Sequence, residues 1–296
     1  MGVVNASPVS EPAESEPAPA AKPERIAAFF DLDHTLVACS SAFAFGKPFV
    51  DSGEITRREA LVLTFRQLTF RFFGRSEDGL DGDGRALSAI VTGKDAGAIQ
   101  KVVEQNIANV IMPTVYPEAK ELIRRHRDAG HVLVVVSASP EDMVRPIASR
   151  LGIEHAVGTR MSTIDGRYSG QITFFCKSQY KLVAMREIAE EFGIDLQASY
   201  AYSDSGTDLA MLEGTGHPHA VNPDRDLRRL AEERGWPILE FTNPLPPVRV
   251  SQLPKLRRRT VTAMVTAGTA CVATFAVLAL QGTDQRRHRG RGLLFS

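Results

Sequence analysis

Asp31 and Asp33 stand two residues apart at the end of an apolar run, Ile26 to Phe30, and continue as Asp31-Leu32-Asp33-His34-Thr35. Side chains at i and i+2 of a strand share a face, so the two carboxylates are expected to act on one group of ligand atoms. Like charges that close raise each other's pKa unless a cation or a proton lies between them. A divalent metal together with a phosphate would relieve the repulsion. Three further segments offer matching chemistry. Val132 to Val136 reads as a buried strand that ends in Ser137-Ala138-Ser139-Pro140, where a hydroxyl and the N–H groups of a starting helix suit phosphate oxygens. Tyr200 to Ser203 ends in Asp204, with Asp208 four residues on. Ser178-Gln179-Tyr180-Lys181 sets a lysine near the start of an amphipathic helix. Taken singly, each is an ordinary helix cap, turn residue or surface charge. Their order along the chain is what gives them weight.

The elements that must position these residues alternate. Strand-like runs at 26–30, 132–136 and 199–202 are separated by helical patterns, one of which has Pro117 at its start and Gly130 just past its end. Alternation of this kind predicts an α/β fold with a doubly wound parallel sheet, whose ligands bind at the carboxyl ends of the strands. From Ser40 to Met112 the alternation stops. Leu61, Phe65, Leu68 and Phe72 form one helical stripe, and Ile99, Val103, Ile107 and Val110 another, which predicts an inserted all-helical cap. Between them, Glu77 to Gly84 is rich in Asp and Gly but lacks the ligand spacing and closing Glu of a calcium loop, so it is read as a solvated acidic turn.

The chain has 35 basic and 35 acidic residues, a balance that gives no electrostatic reason to expect a nucleic-acid partner. Cys39, Cys176 and Cys271 are too far apart in sequence for a disulfide framework or zinc spacing, which fits a reducing compartment. Residues 1–24 are dominated by Pro, Ala, Glu and Ser and are expected to be a disordered tail. Residues 260–280 carry no charge and would span roughly 30 Å as a helix, enough to cross the hydrocarbon core. Basic clusters at 255–259 and 286–291 flank them. The expected organisation is therefore a catalytic core at 25–39 and 113–245, a cap at 40–112 and a basic linker at 246–259. A C-terminal hydrophobic transmembrane helix at 260–280 and a basic tail at 281–296 complete it. With no export signal at the start, the expected location is the cytoplasmic membrane with the catalytic domain facing the cytoplasm.

In this order and spacing the motifs resemble the haloacid dehalogenase-like hydrolases, and within them the phosphoserine-phosphatase-like branch of subfamily IB, which carries a helical cap after its first motif. Asp31-Leu32-Asp33-His34-Thr35 matches the first motif, the strand ending in Ser137 the second, Lys181 the third and Asp204 to Asp208 the fourth. Lys177 competes for the third position, but in this branch the lysine follows a short turn at a helix start, which favours Lys181. The resemblance implies a Mg²⁺-dependent phosphomonoester hydrolase with Asp31 as the nucleophile of an aspartyl-phosphate step. It makes Asp33 the general acid and base, with Thr35 positioning it. Mg²⁺ would be held by Asp31, the backbone carbonyl of Asp33 and Asp204. Ser137, Ala138 and Lys181 would contact phosphate oxygens, and Asp208 would hold a water or orient Lys181. An acid at position 33 favours turnover over a lasting phosphoenzyme, and His34 is expected to point away from the site.

Phosphoserine phosphatases carry a Glu nine residues after the nucleophile to bind the serine ammonium, and Ser40 stands there. Loss of that counter-charge removes on the order of 1.5–3 kcal/mol of charged hydrogen bonding. The substrate is thus expected to be another small phosphorylated metabolite or a lipid-linked phosphate, with Phe43 and Phe45 lending apolar surface to the entrance or to the cap core. Two other readings are a membrane-anchored regulatory protein that binds a phospho-ligand or partner through this fold, and a phosphotransferase to an acceptor other than water.

Overall fold

Alternate residues of Ala27–Phe30 (β1) feed two different cores in the computed structural model, which describes residues 25–57, 59–60, 79–242 and 244. Ala28 and Phe30 join one apolar cluster, and Ala27 and Phe29 the other. Val132–Pro140 (β2) repeats the division, with Leu133 and Val135 on one side and Val132, Val134 and Val136 on the other. A strand covered on both faces must be apolar at every position, which is why these two read as continuous hydrophobic runs.

The remaining strands are His155–Ile164 (β3), Arg167–Phe174 (β4), Tyr200–Ser203 (β5), His217–Val221 (β6) and Ile238–Leu239 (β7). They form one sheet in the order β4-β3-β2-β1-β5-β6-β7, parallel throughout except for the β3/β4 pair. That pair departs from the all-parallel expectation. Asp165 and Gly166 both have positive φ, 50° and 76°, the twist a two-residue hairpin turn needs. From β1 the sheet grows to β2 on one side and β5 on the other, so a crevice opens at the carboxyl end of β1.

Ser41–Ala44 (α1), Gly46–Ser52 (α2), Gly79–Val91 (α3) and Ala96–Val110 (α4) lie between β1 and β2. Ile99, Val103 and Ile107 of α4 are buried and Val110 packs against them, as the stripe implied. Leu61, Phe65, Leu68 and Phe72 lie outside the described residues. The expected acidic turn is corrected in part: from Gly79 onward the chain is helical, with Leu87, Ile90 and Val91 of α3 packing into the core and the Ser88 hydroxyl donating to the Gly170 carbonyl of β4. Phe43 and Phe45 are buried at 8% and 0% exposure, so they belong to the core and not to an apolar entrance.

Pro117–Asp128 (α5) and Glu141–Arg150 (α6) pack with α4 on one face of the sheet. Pro117 opens α5 and Gly130, at φ 76°, follows its end. Gln179–Phe192 (α7), Leu209–Glu213 (α8) and Arg225–Arg234 (α9) cover the other face. Among the described residues no helix is long and apolar enough to cross a membrane. The tail at 1–24, the linker at 246–259, the proposed span at 260–280 and the tail at 281–296 lie outside the described residues.

Candidate active site

Asp31 is the first residue beyond β1, and its N–H donates to the Tyr202 carbonyl at 2.9 Å, tying the strand end to β5. Its Oδ1 accepts from Lys181 Nζ at 2.6 Å, and the same ammonium donates to Asp208 Oδ2 at 2.7 Å. Lys181 sits in the first turn of α7, where the helix dipole disfavours a cation, and it is buried. Two carboxylates offset both costs. Burial works against the ammonium, but Asp208 and Asp31 outweigh it and hold its pKa above the ordinary lysine value. Burial pushes Asp31 up to about 7 against the pull of Lys181, with Asp208 and Asp33 adding to the rise. Lys177 lies elsewhere, its ammonium 5.9 Å from the centre of the Phe175 ring.

Thr35 Oγ1 stands between two carboxylates, 3.3 Å from Asp31 Oδ2 and 3.4 Å from Asp204 Oδ1. The expectation that Thr35 positions Asp33 is thereby corrected: after the turn at His34, with φ 64°, the hydroxyl is directed to Asp31 and Asp204. Asp204 follows β5 and is pushed well above its usual range by burial first and then by Asp31 and Asp208. Ser203 donates to Asp208 Oδ2 at 2.7 Å. Asp224 caps α9 and also accepts from Ser205 Oγ and the Gly206 N–H, both at 3.1 Å, which fastens the loop that carries Asp204. Neither Ser203 nor Asp224 stood out in the sequence, since Ser at a turn and Asp before a helix are the commonest of signals.

Asp33 does not share the surroundings of Asp31. The strand has ended at Phe30, and the chain at Asp33 touches Val37 through a single bridge. Its Oδ1 accepts from the Ser41 N–H at 2.9 Å and its Oδ2 from Ser139 Oγ at 3.0 Å. Ser139 comes from a bulge: the register of β2 on β3 shifts between Val136 and Pro140. Bulges beside functional sites re-aim side chains. Here the shift leaves Ser137 buried with its Oγ accepting from the Ser139 N–H at 3.2 Å. The Ala138 carbonyl accepts from Thr159 Oγ1 at 2.7 Å, and Gly158 makes room for the turn, since a Cβ there would lie 2.6 Å from Glu141 Cα.

The described residues include no group of three His, Cys, Asp or Glu side chains placed to hold a metal by themselves. Asp31 and Asp204 still converge on Thr35, are both driven toward the neutral form, and with Asp208 give three buried or part-buried carboxylates to one lysine. A surplus of hard oxygen donors is the donor chemistry of Mg²⁺, which keeps several of its waters and needs few carboxylates. The residues fit that ion.

Residues 28–213 match the family model described as haloacid dehalogenase-like hydrolase. The chain belongs to this family. It is a hydrolase with phosphatase relatives. A Mycobacterium tuberculosis protein named "probable phosphatase" is 44% identical over 221 residues, covering 75% of this chain and 77% of the relative. A phosphoserine phosphatase of the same organism is 35% identical over 218 residues, covering 73% of this chain and 70% of the relative. Among solved structures, a phospho-aspartyl intermediate analogue of a phosphoserine phosphatase has a TM-score of 0.55 at 20% identity. It covers 74% of this chain and 95% of its own, a likeness of fold.

Proposed function

We propose that this haloacid dehalogenase-like hydrolase is a Mg²⁺-dependent phosphomonoesterase acting through an aspartyl-phosphate on Asp31. The observation that carries the reading is the buried Lys181 ammonium, 2.6 Å from Asp31 and 2.7 Å from Asp208. A carboxylate is a weak nucleophile, so it must be held in line and the charge of the phosphate countered. Mg²⁺, when held by Asp31, Asp204 and the carbonyl of Asp33, supplies part of that counter-charge. Lys181 aims Asp31 and presents positive charge to the transferring phosphoryl group. Ser137 and Ala138 offer a hydroxyl and a backbone N–H to the remaining oxygens. Asp33 gives a proton to the leaving oxygen and then takes one from the water that hydrolyses the aspartyl-phosphate. Thr35 steadies Asp31 and Asp204, and Asp208 steadies Lys181. The helices after β1 serve as the cap over this site.

The substrate in this reading is a small phosphorylated metabolite or a lipid-linked phosphate. Ser40, where an ammonium-binding Glu would stand, is an uncharged residue at the start of α1 and argues against phosphoserine. A panel of phosphorylated metabolites and lipids offered to the full chain in mild detergent tests this. The expected result is Mg²⁺-dependent phosphate release with phosphoserine among the poor substrates; phosphoserine as the best substrate would overturn it.

Residues 260–280 hold the enzyme at the cytoplasmic membrane in the same proposal, with the catalytic domain facing the cytoplasm. The support is the uncharged run and its basic flanks alone. Fractionated full-length protein is expected with the membranes, released by detergent and not by salt. Recovery in the soluble fraction would contradict the anchor.

A further inference from the structure

Both oxygens of Asp33 are occupied, one by the nearby Ser41 N–H at 2.9 Å and the other by Ser139 Oγ, 106 residues on, at 3.0 Å. The Ser41 and Ser139 hydroxyls are themselves 3.0 Å apart, and both residues are buried. A hydroxyl carries one proton and two lone pairs. With Asp33 ionised, all three contacts can be kept in one order only: Ser41 O–H gives to Ser139 Oγ, and Ser139 O–H gives to Asp33 Oδ2. One serine comes from α1, the other from the β2 bulge, so the chain of bonds joins the inserted helices to the core at Asp33.

We infer that Ser139, backed by Ser41, is a positioning residue for proton transfer by Asp33, an inference that rests on the phosphatase reading. As the bond between phosphorus and the leaving oxygen breaks, its electron pair goes to that oxygen and Asp33 delivers the proton. Ser139 keeps its own proton throughout. Each carboxylate oxygen retains a second lone pair, so the proton can ride on Asp33 without displacing either donor. Without the Ser139 hydroxyl the carboxyl group is held at one oxygen and is free to turn about its Cβ–Cγ bond. The loss falls hardest on substrates whose leaving oxygen is basic and must be protonated.

The test compares kcat/KM for phenyl phosphate with kcat/KM for p-nitrophenyl phosphate, in wild type, Ser139→Ala, Ser139→Thr and Ser41→Ala. This parameter reports events up to departure of the leaving group, and the ratio of the two substrates does not depend on the active fraction of a preparation. Ser139→Ala is expected to lower the phenyl to p-nitrophenyl ratio by about 10-fold or more, as general-acid help is lost. Ser139→Thr keeps the hydroxyl and should keep the wild-type ratio, while Ser41→Ala should lower it by less than Ser139→Ala. An unchanged ratio in Ser139→Ala, or an equal fall in Ser139→Thr, would overturn the inference and leave the phosphatase reading standing. Wild-type protein inactive on both phosphates would overturn both.

Discussion

Asp204 carries the clearest conflict between stability and function. Burial, Asp31 and Asp208 all drive it toward the neutral acid, and Lys181 offsets only part of this. Asp204→Asn removes a like charge while leaving the Lys181 contacts to Asp31 and Asp208 in place. Thermal scans in chelator are therefore expected to show the variant melting higher than wild type, by about 2–4 °C for about 1 kcal/mol in a domain of this size. Its Mg²⁺-dependent activity should be lost. A variant that melts at or below wild type would remove the repulsion argument. Asp31 adds a pH test. Burial sets its carboxyl at about 7, and an attacking carboxylate must be ionised, so at low Mg²⁺ activity should fall as pH drops through that value. Added Mg²⁺ competes with the proton and should move this acid limb to lower pH. A limb indifferent to Mg²⁺ would count against metal binding at Asp31. Asp31, Ser137 and Asp204 were legible in the sequence because each is a charged or hydroxyl group at the end of an apolar run, and Lys181 because it opens an amphipathic helix. Ser41 and Ser139 were not. The bonds of Ser139 to Asp33 and to Ser41 join residues 106 and 98 positions apart and depend on a bulge, and the Ser41 N–H meets Asp33 only because the chain turns back after β1; no local pattern announces any of these.

The β2 bulge and the β3 strand beside it hold the Ser137–Ser139 turn, and Gly158 is the point of closest approach. A Cβ there meets the backbone of Glu141 at 2.6 and 2.8 Å and the Ser139 carbonyl at 2.8 Å, none of which can yield as a flexible side chain would. Gly158→Ala is expected to cost about 1–3 kcal/mol in stability through overpacking. It should also lower kcat by more than 10-fold, since displacements of about 1 Å at positioned groups have effects of this size. Denaturant unfolding and steady-state kinetics check the two parts, and wild-type behaviour in both would refute the close contact. On the other side of β1, α5 is joined to β5 through His126, whose Nε2 is 2.8 Å from Tyr202 Oη and whose Nδ1 is 2.8 Å from His131 Nδ1. Burial first, then His131 and His219, lower its pKa from 6.5 to about 4. The unfolded chain thus binds the proton more readily, so the stability associated with neutral His126 is full above pH 6.5 and is lost as pH falls toward about 4. Melting temperatures should decline over that window, and less steeply in His126→Gln; identical slopes would contradict the assignment. At this scale the sequence marked β1, β2 and β5, the buried central strands, as apolar runs. It missed β3, β4, β6 and β7, whose half-buried or polar residues such as His217 and His219 break the hydrophobic pattern.

Across the whole molecule, one strand organises both the core and the chemistry. β1 lies between β2 and β5 in the sheet, its alternating residues anchor two apolar layers, and its carboxyl end opens into the crevice where Asp31, Lys181 and Asp204 are gathered. The charges are positioned from one face: α7 brings the lysine, and the loop after β5, fastened by Asp224 at the start of α9, brings Asp204 and Asp208. The alternation of strands and helices made this sheet readable from sequence, while the antiparallel β3/β4 pair depended on a hairpin turn that the apolar runs do not mark. The proposed membrane span is a property of composition alone and stands apart from the geometry of the site. Whether Asp31 attacks phosphorus is tested directly by p-nitrophenyl phosphate hydrolysis by wild type and Asp31→Asn in saturating Mg²⁺. Asp31→Asn is expected to lower kcat on the order of 10³-fold or more, as when the nucleophile of a covalent mechanism is removed. Equal rates in the two proteins would contradict attack by Asp31.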